Sequence, residues 1–184
     1  MVKNILQKEE KVLREVAKEI PVSEITTPKV KKILKEMSAS LKSQNDGVAI
    51  AAPQIGYSMR IFVVSGKIFD EDYIDKRGRK VSSDKKNKKE VVQISDLVFI
   101  NPKITKLSKE KEWLPEGCLS VRPLYGRTYR SKKATVVAYD ENGKKFTRGG
   151  SGLLAQIFQH ETDHLNGILF IDHAKDIKAE ELAE

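Results

Sequence analysis

His160-Glu161-Thr162-Asp163-His164 sets two imidazoles and a carboxylate within a little over one helical turn. Residues i and i+4 of a helix share a face, so both imidazoles can reach one metal ion. Glu161 then sits beside the remaining coordination position. There it can take a proton from water or give one back, an arrangement that suits hydrolysis. The preceding stretch, Gly152 to Gln159, carries Leu153, Leu154, Ile157 and Phe158 at helical spacing, and Leu165 continues the series. Gly167 stands where such a helix would stop. The plainer alternative is an amphipathic helix whose histidines are hydrogen-bonded in a core. Of the 3 histidines in the chain, only His173 lies outside the motif, and it reads as a surface residue.

A hydrolytic site of this kind usually has three protein ligands and one exchangeable position. One protease pattern continues the motif to a third histidine, but that place holds Phe170, which cannot ligate. A second takes a downstream glutamate, and Glu180, Glu181 and Glu184 lie in a polar tail with little to bury them. Upstream, the chain's 1 cysteine stands in Pro115-Glu116-Gly117-Cys118-Leu119-Ser120. A glycine beside it lets backbone approach a metal or a substrate closely. A lone cysteine excludes an internal disulfide, and its plain alternative is a small buried hydrophobe. A thiolate with two imidazoles suits iron, nickel or zinc without selecting among them.

Three segments, in order, give the chain its resemblance to the peptide deformylase family. They are Gly47-Val48-Ala49-Ile50-Ala51-Ala52-Pro53-Gln54-Ile55-Gly56, Glu116-Gly117-Cys118-Leu119-Ser120, and Gln159-His160-Glu161-Thr162-Asp163-His164-Leu165. Weaker similarity includes Val12-Leu13-Arg14 and the run from Ala134 to Gly143. The resemblance implies that Cys118, His160 and His164 hold one divalent metal, ferrous iron in most of the family, with zinc, nickel or cobalt as alternatives. It implies that Glu161 is the general acid/base, and that Gln54 and the backbone N–H of Leu119 stabilise an oxyanion. Substrate contacts would fall on Gly47, Val48, Ala49, Ile50, Gly117, Leu153, Gln156 and Ile157. The implied reaction removes the N-formyl group from the initiator methionine of nascent polypeptides. Extended backbone from Gly47 to Ile50 can pair with a peptide as an added strand, which tolerates many sequences.

The chain departs from the family pattern in places. Ala49 replaces a glycine, which would narrow the path of the substrate backbone, and Ile50 replaces leucine. Val121-Arg122-Pro123 stands where an apolar residue is followed directly by proline. Tyr125 replaces an arginine of several relatives, and Gln156 an apolar residue lining the methionine pocket. No expected metal or acid/base position departs.

Length and composition frame this reading. The 184 residues suit a single domain with a substantial core. The predicted class is α+β: short antiparallel strands packed around a buried metal-binding helix. No long apolar run predicts a membrane span, and the first residues carry no secretory or transit pattern. With one cysteine, the reading favours a reducing cytoplasm. Lys and Arg number 34 against 26 Asp and Glu, a net charge of +8. That excess fits a lysine-rich solvated surface or attraction to an anionic body, of which the ribosome is the candidate; sequence-specific nucleic-acid binding is not expected.

Along the chain, an amphipathic turn is predicted near Val12 to Ile20. A helix follows from Pro28 to about Ser43, with Val30, Ile33, Leu34, Met37 and Leu41 on its apolar face. Asn45-Asp46-Gly47 ends it. Strands are expected at Ile61–Val64, at Leu97–Ile100 with Asn101-Pro102 as its end, and at Ala134–Tyr139. A turn over Asp140–Gly143 returns through Lys144 to Thr147. Gly66 to Ser95 reads as a charged loop insertion. The polar stretch from Ala174 to Glu184 is predicted to be helical. Two other functions fit the same residues: a different metal-dependent amidase or protease, and a basic ribosome- or RNA-binding protein with a structural metal.

Overall fold

The computed structural model describes residues 1–70, 73 and 95–179. Most of the charged insertion, and the last five residues of the expected C-terminal helix, lie outside the described residues. The architecture is α+β. Helix α1 spans Pro28–Lys42 and α2 spans Gly152–Leu165. The strands are β1 (Ala49–Ala51), β2 (Ile61–Val64), β3 (Leu97–Leu107), β4 (Lys111–Gly117), β5 (Leu124–Ser131), β6 (Lys133–Tyr139), β7 (Lys145–Ser151) and β8 (Lys175–Ala179).

α1 starts where its sequence says it should. Thr27 Oγ1 accepts from the Val30 N–H at 3.5 Å, and Pro28 needs no donor in the first turn. α2 ends before Gly167, whose φ of +73° would strain any other residue. A methyl group there would also lie 2.6 Å from the Arg14 carbonyl oxygen.

Two antiparallel sheets result. One has the order β1-β2-β3-β6-β7, the other β4-β5-β8. Alternation along β2 splits the first sheet's core in two. Phe62 and Val64 join Phe99, Leu154 and Phe158 on the α2 side, with the Phe62 and Phe99 rings 4.6 Å apart. Ile61 and Val63 join Ile33, Met37 and Leu41 of α1 on the other side. Burial of each such side chain contributes about 1.5–3 kcal/mol. The first of these layers fixes α2, and with it the histidine motif, against the sheet.

β1 is one of the sheet's two edge strands, β7 being the other. Ala49 and Ala51 face the α2 cluster and Ile50 faces the α1 cluster, so both sets of side chains are buried. The Ala49 methyl therefore sits in the core.

Two expectations are corrected. β3 does not end at Asn101-Pro102 but runs to Leu107 through a bulge between Ile100 and Lys103. Asn101 adopts φ +50°, which asparagine tolerates, and its side chain locks Ile20 from both sides: Oδ1 accepts from the Ile20 N–H at 2.8 Å and Nδ2 donates to the Ile20 carbonyl at 2.7 Å. The C-terminal stretch is not helical where it is described. Lys175–Ala179 pairs with the edge of β5, Leu124 opposite Ala179, so backbone pairing overrides the polar composition.

Candidate metal centre and active site

The sulfur-bearing loop comes from the end of β4 and the imidazoles from α2. Cys118 follows Gly117, the last residue of β4, and precedes a 3-10 turn over Leu119–Val121. Its Sγ lies 3.2 Å from His164 Nε2. One ligand atom from each of Cys118, His160 and His164 falls within 4.8 Å of the others. Both imidazoles are buried, and their rings stand 4.9 Å apart at a steep angle.

His160 is oriented from behind. Its Nδ1 lies 2.7 Å from Glu116 Oε1, which leaves Nε2 for the centre. Glu116 is itself held by four groups. Arg130 donates through Nη2 at 2.6 Å and Nε at 3.1 Å, Thr128 Oγ1 donates at 2.6 Å, and Gln156 Nε2 donates at 3.0 Å. Arg130 Nη1 also reaches Asp163 Oδ2, at 2.6 Å, which ties β5 to α2. Burial alone would push Glu116 up. His160 and Arg130 hold it well below the usual carboxylate range. Burial likewise opposes charge on His160, yet Cys118 and Glu116 raise it well above its ordinary value. With a thiolate and two imidazoles converging, the donor set fits a divalent metal.

Glu161 is buried beside this cluster, and its Oε2 has no hydrogen-bond partner among the described residues. Burial pushes its carboxyl up to about 7. Gln54 enters from the 3-10 turn Ala52–Ile55 after β1. Its Oε1 accepts from the Ala51 N–H at 2.9 Å, which fixes the amide's orientation. Its Nε2 donates to Ser120 Oγ at 3.0 Å and lies 3.6 Å from Cys118 Sγ. The donor therefore points at the cluster. Leu119 begins the turn beside Cys118.

The other expected residues are distributed as follows. Gly47 to Ile50 lead into or form the edge strand β1, and Gly117 closes β4 opposite Tyr125. Leu153 and Ile157 are buried in the α2-side cluster. Gln156 is buried too, but its amide is turned to Glu116 and to the Pro115 carbonyl, 3.0 Å from each. It braces the loop that carries Cys118. His173 is at the surface with its Nε2 3.4 Å from Asp163 Oδ2.

Sequence reading assigned no role to Glu116, Arg130, Thr128 or Ser120. One signal was available: a glutamate two residues before a ligating cysteine must find partners when buried. The strand Leu124–Ser131 that places Thr128 and Arg130 on the inward face was not foreseen.

A buried carboxylate beside a Cys-His-His cluster in an α+β frame points to the class of metal-dependent hydrolases. The chain matches the family model described as polypeptide deformylase over residues 2–180. It is 39% identical over 166 residues to a peptide deformylase of Carboxydothermus hydrogenoformans, covering 90% of this chain and 89% of that one. It is 37% identical over 164 residues to peptide deformylase 2 of Clostridium acetobutylicum, covering 89% of each. The Met-Ala-Ser-bound class I type b enzyme of Acinetobacter baumannii superposes with a TM-score of 0.78 at 28% identity, covering 94% of this chain and 98% of that one. The chain belongs to the peptide deformylase family, metal-dependent hydrolases that remove the formyl group from the N-terminal methionine of nascent polypeptides.

Proposed function

We propose that Cys118, His160 and His164 hold one ferrous ion and that Glu161, Gln54 and the Leu119 N–H carry the deformylation chemistry around it. The convergence of the three ligand atoms within 4.8 Å of one another carries this reading. Zinc, nickel or cobalt suit the same donors. When bound, the ion supplies Lewis acidity and a nucleophile usable at neutral pH. Glu161 takes the proton of the attacking water and delivers it to the departing methionine nitrogen, a transfer that suits a carboxyl held near neutrality. Gln54 Nε2 and the Leu119 N–H donate to the formyl oxygen as charge develops on it. Each such donor is worth about 3–4 kcal/mol.

The peptide lies along the free edge of β1, with Gly47, Val48, Ala49 and Ile50 offering main-chain bonds. The Acinetobacter baumannii relative is bound to Met-Ala-Ser. A peptide of that kind suits such an edge here. Gly117, Leu153, Gln156 and Ile157 enclose the methionine side chain. The chain acts as a single catalytic domain with the 66–95 segment as an insertion. It works in the cytoplasm, where its net charge of +8 draws it to the ribosome. No described helix is long and apolar enough to cross a membrane.

Anaerobic purification with metal analysis tests the ligand set, and the activity assay separates formate release from formyl-Met peptides from cleavage of internal peptide bonds. Iron at one equivalent with formate release supports the reading. Internal cleavage without formate release refutes it. Failure to co-sediment with ribosomes at low salt removes the ribosome proposal alone.

A further inference from the structure

Arg122 is the residue that separates this chain's Val121-Arg122-Pro123 from the family's shorter pattern, and its side chain crosses to another segment. Its Nη1 donates to Gln44 Oε1 at 2.9 Å and its Nη2 to Asp46 Oδ1 at 2.5 Å. Both acceptors sit on one turn. The Gly47 N–H closes that turn onto the Gln44 carbonyl at 3.2 Å. A methyl group at Gly47 would lie 3.0 Å from both Gln44 Cβ and Leu41 Cδ1, so the turn is packed down on the end of α1.

The segments joined this way are the two that flank the centre. They are joined a second time where Gln54 Nε2 meets Ser120 Oγ. Between Asp46 and Gln54 runs β1, an edge strand of its sheet. One link thus lies at the catalytic end of the edge and the other at its start. An isolated surface ion pair is worth little. This one is different in kind. The Arg122 and Asp46 side chains are only 33% and 22% exposed, and a guanidinium gripping two acceptors on one turn fixes that turn's orientation.

We propose that the Arg122–Asp46 pair is the far post of the peptide groove. It holds the Gln44–Gly47 turn where the start of the β1 edge can pair with substrate residues beyond the second. It therefore sets affinity for longer formyl peptides and leaves the chemical step alone. Arg122 is a positioning residue, and the inference rests on the deformylase reading of the same site. A strand advances about 3.3 Å per residue, so a peptide anchored by its formyl group near Gln54 reaches Gly47 only through its later residues.

The test is a substrate ladder: formyl-Met-Ala, formyl-Met-Ala-Ser and a formyl pentapeptide, with kcat and KM measured for wild type, Arg122→Ala and Asp46→Ala. Arg122→Gln, which keeps a donor to Gln44, replaces Arg122→Ala if that variant does not fold. KM for the pentapeptide rises about fivefold in the variants, while the dipeptide KM, every kcat and the metal content stay within about twofold of wild type. Calorimetric affinity for a deformylated pentapeptide falls in parallel. Exchanging the charges in Arg122→Asp with Asp46→Arg restores part of the loss. An equal KM change at every length, or none, overturns the inference alone. No formate release by wild type from any peptide overturns the deformylase reading and this inference with it.

Discussion

Glu116 Oε1 lies 2.7 Å from His160 Nδ1 while the same carboxylate receives two N–H groups of Arg130. His160 is thus oriented by an anion that is itself neutralised. Charged partners of this kind both fix the ring and raise its basicity.

Glu116→Gln keeps the shape and removes the charge. Metal affinity, measured by competition with a chelator, falls about 10–100-fold. Glu116→Ala goes further, because the Arg130 side chain, 7% exposed, keeps only Asp163 as an anionic partner among the described residues. Denaturant unfolding then shows a loss of about 3–5 kcal/mol, the scale for breaking a buried pair. Unchanged chelator competition in Glu116→Gln argues against the orienting role.

Gln54 has two jobs that one substitution can separate. Gln54→Glu retains the acceptor for the Ala51 N–H and removes the donor aimed at the cluster. kcat falls about 10²–10³-fold with metal content unchanged, the usual cost of one oxyanion donor. A kcat within a few fold of wild type places the oxyanion elsewhere.

Tyr57 Oη donates to Glu36 Oε2 at 2.7 Å, joining the turn after Gln54 to α1. That hydrogen bond holds the Glu36 carboxyl below its ordinary 4.5 and raises the Tyr57 phenol above its ordinary 10.0. A lowered carboxyl stabilises the fold above its unfolded value, and the contribution fades as pH falls through the folded one. A raised phenol stabilises below its unfolded value, and the contribution is lost as pH rises through the folded one. The stability gap between wild type and Tyr57→Phe is therefore level from about pH 5.5 to 9 and narrows on either side. Chemical denaturation across pH measures it, and a gap that stays constant down to pH 3 contradicts the assignment.

The candidate metal and acid/base residues were more legible in the sequence than the groups packed around them. Cys118, Glu161 and the two histidines announce themselves because few residue types ligate metal or move protons at neutral pH. Helices α1 and α2 were legible because their apolar residues recur at 3.6 spacing and a cap or a glycine bounds them. Arg130 was not, since a buried arginine is read from its partners, and those come from β4 and α2. Lys175–Ala179 was misread because its composition is polar and only the edge of β5 makes it a strand. Asn101-Pro102 misled for a related reason: a bulge lets a strand pass through residues that would otherwise end it. The direction of the Gln156 amide was not legible either: it turns to Glu116, a choice made by hydrogen-bond partners that spacing does not reveal.

The most direct measurement compares wild type and Glu161→Ala after anaerobic ferrous reconstitution, with iron content matched and formate release from a formyl-Met peptide followed. The account predicts that both proteins bind one equivalent of iron and that the variant loses turnover by about 10²–10⁴-fold. Near-normal turnover in Glu161→Ala would contradict it.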